Sequence, residues 1–336
     1  MTIKLSVVDQ SPVHGSHAAI EAPRLSVELA KACDELGYYR YWVAEHHDSI
    51  HFANPCPEIL VSHIASVTKN IRVGSGGVML NHYSPYKVAE CFKMMATLFP
   101  DRIDLGIGRA PGGTGLTSQA LSYFTRPHHG ELYPNQAQDL KNFIEGTMPE
   151  DNPYHSLKVL PDETPKPELW MLGSSGGSAG FAGYLGYHIA LARFIDPDNC
   201  KPEIFQEHLK EWQASEHTGE PQRMLAIACI CAETEEEARL IAGTPVYRKL
   251  AAQMGLREDF LTPEQVQDRY KDLSPSHQAH FDHILNGFTV GSPEQCRDEI
   301  EQLAEDYQCN EIGTVTVTHS FEDRLNSFRL LAQSFS

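Results

Sequence analysis

Short β-branched or apolar runs recur along this chain, each followed by a longer stretch with helical spacing, and this alternation restricts the fold more than any other feature. The runs are Ile3 to Val8, Tyr38 to Ala44, Ile71 to Gly74, Ile103 to Ile107, Glu168 to Leu172, His188 to Leu191, Arg223 to Ile230 and Ile312 to Val317. Three helical stretches are clearest: Ala18 to Leu36, which stops at Gly37, then Glu58 to Thr68 and Tyr86 to Leu98. Strands alternating with helices predict a parallel sheet. Nearly continuous apolar strands predict burial on both faces. Eight such units can close into a barrel or form a doubly wound open sheet, and the count of eight favours a (β/α)8 TIM barrel.

The length, 336 residues, admits one large domain or two smaller ones. No repeat or low-complexity tract divides the chain. The proline-rich stretch 149–167 lies inside the alternation, so one domain over 1–336 is expected. Two segments break the pattern. Residues 110–134 are rich in Gly, Thr, Ser and His and read as a long lid loop over one end of the barrel. Residues 255–287 carry mixed charge with weak helical spacing and read as an insertion between the seventh and eighth units.

The net charge of -18 argues against nucleic acid and anionic membrane surfaces as partners. None of the eight cysteines forms a C-x-x-C pair, and no zinc spacing appears. Cys229 and Cys231 are two apart and share one face of a strand. Met1 to Val8 lacks the pattern of a signal peptide, and no apolar run reaches membrane-spanning length. A cytoplasmic protein with reduced cysteines is the expectation.

In a parallel barrel the chemistry sits at the C-terminal strand ends. Polar residues gather there: Asp9, Gln10 and Ser11, then Glu45, His46 and His47, then Ser75, Gly76 and Gly77. Gly108 and Arg109 follow, then Gly173 to Ser178, and Arg193. The run LGSSGGSAGFAGYLG joins the fifth strand to its helix through Ser174, Ser175, Gly176, Gly177 and Ser178. Glycines admit a ligand close to the backbone, and the following helix offers free N–H groups, which suits a phosphate. It is neither a Walker loop nor G-x-G-x-x-G. Arg109 could hold a phosphate bidentately, or pair with Asp101 or Asp104. Glu45, His46 and His47 form an acid–base cluster. A structural network in which Glu45 holds an imidazole is the alternative. A metal is disfavoured because adjacent strand residues point to opposite faces. Ser75, Gly76 and Gly77 offer a bare strand end to a flat ligand, or a bulge.

The stretches LSVVDQSP (5–12), GYYRYWVAEHH (37–47), IRVGSGGVMLNHYSPYKVAE (71–90) and FPDRIDLGIGRAPGG (99–113) resemble the luciferase-like flavin-dependent monooxygenases. LGSSGGSAGFAGYLGYHIALARF (172–194) and VGSPEQCRDEI (290–300) extend the likeness, while 195–285 adds little. The resemblance implies a (β/α)8 barrel, reduced FMN as cosubstrate, molecular oxygen as oxidant, a separate flavin reductase and a homodimer. It gives His46 a proton-transfer role beside the flavin ring, with Glu45 orienting it. It places Gly76 and Gly77 at a non-proline cis peptide against that ring. It assigns Arg109, Ser175, Gly176 and Ser178 to the flavin phosphate. Gly108 departs from the reactive cysteine of the luciferase subunit, and nothing here supports light emission or a long-chain aldehyde. His128 and His129 have no assigned role.

The function expected is therefore oxygenation of a small organic substrate by reduced FMN and O2, with one oxygen atom incorporated. A deazaflavin- or FMN-dependent oxidoreductase without oxygen insertion is an alternative, as is a non-catalytic flavin-binding protein. A hydrolase with a metal at His46 and His47 is a further one, weakened by ligand spacing. The sequence does not identify the substrate.

Overall fold

The computed structural model describes residues 2–15, 18–123, 131–215 and 217–336. Eight parallel strands close into a barrel: β1 (Lys4–Asp9), β2 (Arg40–Val43), β3 (Arg72–Met79), β4 (Ile103–Gly108), β5 (Glu168–Gly173), β6 (His188–Ala192), β7 (Arg223–Cys231) and β9 (Glu311–Val315). Each pairs with the next in this order, and β9 closes on β1 through Lys4–Glu311 and Leu5–Ile312. The eight expected runs are these eight strands. A further strand, β8 (Thr289–Gly291), adds three residues outside the ring against Cys229 to Cys231 of β7. β3 runs beyond its expected end at Gly74, and its register on β4 shifts between Ser75 and Val78.

Helices cover the outside: α1 (Ala22–Glu35), α2 (Pro57–Val67), α3 (Pro85–Leu98), α4 (Gly115–Leu121), α5 (Tyr133–Glu145), α6 (Ala179–Leu185), α7 (Glu203–Glu211), α8 (Glu235–Gln253), α9 (Pro263–Asp272), α10 (Pro275–Asn286), α11 (Pro293–Asp306) and α12 (Phe321–Ser334). Many begin with proline in the first turn, where the missing N–H costs nothing. The turn after α1 ends on Gly37 at φ 82°, a conformation that glycine adopts freely. Residues 110–134 contain α4 and the start of α5 rather than continuous loop, and 124–130 lie outside the described residues, as do His128 and His129. Residues 255–287 hold α9 and α10, which pack on α8 around Val266, Phe281 and Ile284.

The barrel interior is layered. Its N-terminal end is a charged plug centred on Arg40. This guanidinium contacts Asp104 at 2.7 Å, Glu311 at 2.6 Å and Glu168 at 3.1 Å. Arg72 takes the other oxygen of Asp104 at 2.6 Å. Above the plug lies an apolar layer of Trp42, Trp170, Met224, Ala226 and Val315. The two indoles meet edge to face at 5.1 Å. The space above this floor is open, and the strand ends face it.

Candidate functional site

A cavity of about 810 Å³ fills the C-terminal mouth of the barrel. A cavity of this size lies within the range of small-molecule and cofactor pockets, roughly 300–1,000 Å³. Glu45, His46, Gly76, Gly77, Arg109, Ser174, Ser175, Gly177 and Ser178 all line it. Gln10 and Gly108 do so too, whereas Asp9 faces away and binds Arg324 at 2.6 Å behind the barrel wall. Arg193 ties the sixth strand end to Gly287 O.

The loop after β2 turns back on itself. His46 N–H donates to Asn54 O, and the Asn54 amide donates to Ala44 O. This sets the His46 ring against Phe52, 4.7 Å between centroids. His46 Nδ1 is buried with no hydrogen-bond partner. Burial, then the nearby Arg248 charge, hold its pKa down to about 4. The ring is therefore neutral at physiological pH.

Glu45 does not orient His46. Its Oε1 lies 2.7 Å from His47 Nε2 and accepts from Tyr83 Oη at 2.8 Å, while Oε2 accepts from Met79 N–H. Glu45 thus meets His47 within the loop after β2, and His46, although it lines the same cavity, has no carboxylate partner. His47 N–H in turn binds Gly112 O, which fixes the root of the 110–134 segment.

Near its C-terminal end β3 carries Gly76–Gly77, joined by a cis peptide bond. A Cβ at Gly77 would lie 2.8 Å from Gly106 O, so the neighbouring strand itself demands glycine there. Beyond β4, Arg109 makes no ion pair among the described residues. Asp104 is already taken by Arg40 and Arg72, and it sits five residues, about 16 Å of strand, below Arg109.

The turn Ser174 to Ser178 differs in kind. The hydroxyls of Ser174, Ser175 and Ser178 make no hydrogen bond among the described residues. A Cβ at Gly177 would meet nothing within 4 Å, so the protein's own packing leaves that space open. Helix α6 has only seven residues, which limits its dipole and leaves the hydroxyls and Arg109 as the main donors. Tyr133, at the start of α5, also lines this end. Its hydroxyl is buried without a partner. Burial raises its pKa, and the adjacent Arg109 charge works against that rise.

Two residues here were not singled out in the sequence. Tyr133 closes a stretch read as loop, although Tyr-Pro is a usable helix-start signal. Arg248 of α8 lies ahead of the 255–287 segment, paired with Lys249 in a largely apolar run from Ile241 to Ala251. A basic pair inside a largely apolar run is the signal that could have found it. Among the described residues no three His, Cys, Asp or Glu converge on a metal site. No described helix is long and apolar enough to cross a membrane.

A closed parallel barrel with a polar, glycine-rich rim over an apolar floor places the candidate site where the enzymes of this fold class carry theirs. Within it, residues 1–307 match the model of the luciferase-like monooxygenases. The chain is 38% identical to the uncharacterized protein YwcH of Bacillus subtilis (strain 168), covering 99% of both chains. It is 32% identical to the N-acetyl-S-alkylcysteine monooxygenase of the same organism, covering 99% of this chain and 98% of that one. The crystal structure of apo-MsnO8 superposes with a TM-score of 0.88 at 35% identity, over 99% of this chain and 98% of that chain. The chain belongs to the luciferase-like monooxygenase family.

Proposed function

We propose that this chain oxygenates a small organic substrate with reduced FMN and O2, the reduced flavin being delivered by a separate flavin reductase. The observation that carries this reading is what converges at one end of the cavity: the buried, orphaned Tyr133 hydroxyl, Arg109 without an ion pair among the described residues, and the serines of 174–178, whose hydroxyls face solvent or the cavity without a protein partner. A buried hydroxyl without a partner costs on the order of 1–3 kcal/mol, so a ligand that bonds it binds at an advantage. A phosphate monoester answers all three groups at once.

Reduced FMN, when bound, supplies the electrons and the oxygen chemistry. Arg109, Tyr133, Ser174, Ser175 and Ser178 would hold its phosphate, with the backbone of Gly177 close by, whereas Gly176 does not line the cavity and faces Ile204 and Glu207. The bare edge at Gly76 and Gly77 gives its ring a flat seat. His46, neutral and with Nδ1 free, is suited to take a proton or donate a hydrogen bond beside the ring. Glu45 acts at one remove, fixing the β3 end through Met79 N–H. The insertion reaches the site: His51 Nε2 bonds Glu258 O at 2.7 Å, and Phe260 packs with Phe52. We assign 255–287 and the described residues of 110–134 to a cover of the site. Exposed Ile59, Met94 and Leu98 on α2 and α3 give an apolar surface for the homodimer included in the proposal. The proposal places the protein in the cytoplasm.

The test supplies FMN, a flavin reductase and NADH under ¹⁸O₂ with a panel of thioethers, a class taken from the N-acetyl-S-alkylcysteine monooxygenase relative. One ¹⁸O atom per product molecule is expected. Consumption of O2 with release of hydrogen peroxide alone, across a panel of thioethers, ketones and alkanes, would contradict monooxygenation. Hydride transfer with a deazaflavin instead of FMN would also contradict it.

A further inference from the structure

The cavity holds a second arginine that the phosphate end does not use. Arg248 sits on α8 three residues after Pro245, and both line the cavity. Its guanidinium lies over the Phe52 ring at 5.2 Å. Its Nε is buried and has no hydrogen-bond partner. Among the described residues it makes no ion pair, and burial alone accounts for the lowering of its pKa. The next residue shows the contrast. Lys249 also lines the cavity, but it donates to Phe194 O and Ile195 O, both at 3.0 Å, and so holds α8 to the loop after β6.

This chain carries 45 acidic residues against 27 basic ones. An arginine largely removed from water finds a carboxylate in most proteins, because an uncompensated buried charge is costly. Arg248 has none, despite the surplus. A group bound in the cavity would supply the missing charge. Arg109 already serves the phosphate end, after β4. Arg248 reaches in from the unit after β7 and lies beside His46 and Phe52, on the loop after β2.

We infer that Arg248 recognises a carboxylate on the organic substrate, holding it over Phe52 with the apolar body of the molecule on the Trp42–Met224 floor. This rests on the monooxygenase reading for the word substrate, but the anion site itself can be tested without turnover. A planar guanidinium matches a carboxylate bidentately, whereas an amide of the same shape offers a single oxygen and brings N–H donors that oppose the charge. The site thus selects acids over their amides.

The experiment measures binding by calorimetry for three matched pairs: hexanoate and hexanamide, 3-phenylpropionate and 3-phenylpropionamide, N-acetyl-S-methylcysteine and its carboxamide. Each is titrated into the full-length protein with and without saturating FMN. In the native protein at least one acid is expected to bind roughly 10- to 100-fold tighter than its amide, the range for a charge-assisted pair. Arg248→Met abolishes that preference while FMN affinity stays within about twofold. Arg248→Lys, which keeps the charge, retains part of it. Arg109→Gln leaves the acid preference intact and weakens only FMN, so failure of the flavin reading and failure of this one give different patterns. The native comparison needs no variant and stands even if Arg248→Met does not fold. Equal affinity for all three acids and their amides overturns the inference. So does an acid preference that survives Arg248→Met, or a loss in that variant confined to FMN.

Discussion

His46 is surrounded by groups that disfavour its charged form: burial acts first, then Arg248 and His47, with Asp9 opposing weakly from behind the wall. Its pKa near 4 lies below the ordinary 6.5, so the folded protein binds this proton less readily than the unfolded chain does. The contribution of His46 to stability is therefore undiminished above pH 6.5 and falls as pH drops from 6.5 toward 4. Over pH 5.5 to 8 the ring stays neutral, and no step in kcat should track its ionisation. Replacing Arg248 with Met removes one of the repulsive charges and moves the His46 pKa upward, as a pH titration of the imidazole Cε1–H signal by NMR would show. An unchanged or lower value would mean that Arg248 does not act on this ring. At this scale the sequence was half legible. The residue types at the rim were visible because strand ends can be located. The partnership of Glu45 with His47 was not legible, because β2 ends at Val43 and a loop gives these neighbours no fixed facing. The orphaned state of Tyr133 and Arg248 depends on what surrounds them in three dimensions, which no local pattern reports.

Among the elements, the strand ends β3 and β5 both carry glycines, for opposite reasons. Gly77 is required by the protein, since its Cβ would press on Gly106 O at 2.8 Å. Gly177 has open space in front of it. Gly77→Ala should therefore lower stability in urea by at least about 1–3 kcal/mol through overpacking. Gly177→Ala should leave the urea midpoint unchanged and weaken FMN about tenfold or more by filling the phosphate cradle. Undiminished FMN affinity in Gly177→Ala would argue that the turn after β5 is only a turn. The eight barrel strands were readable because burial on both faces writes continuous apolar runs. β8 was not, being three residues long, and the second half of β3 was hidden by its own glycines. Helices α9 and α10 bury one narrow stripe each beneath mixed charge, so their periodicity was faint.

The molecule as a whole joins a charged plug at one barrel end to an open mouth at the other. Arg40 is fully buried, and Asp104 and Glu311 share its charge. Removing it as Arg40→Met strands those carboxylates and should cost about 3–5 kcal/mol in chemical unfolding, far from the site and with FMN affinity kept in the folded fraction. Burial works to raise the pKa of Asp104, but Arg40 and Arg72 outweigh it and hold the group below its ordinary 3.8. Asp9 behaves the same way against Arg324. For groups with depressed folded values, the stabilisation is complete above the unfolded value and vanishes as pH falls through the folded one. Stability should thus drop steeply below pH 3.8, and less steeply in Arg40→Met.

The most direct measurement compares FMN with riboflavin, which differ only in the phosphate, by fluorescence titration of the native protein and of Arg109→Gln. FMN should bind the native protein roughly tenfold tighter or more, and Arg109→Gln should remove most of that advantage while leaving riboflavin binding as it was. Equal affinity of the native protein for the two flavins, or no detectable binding of either, would contradict a flavin phosphate held at the strand ends of this barrel.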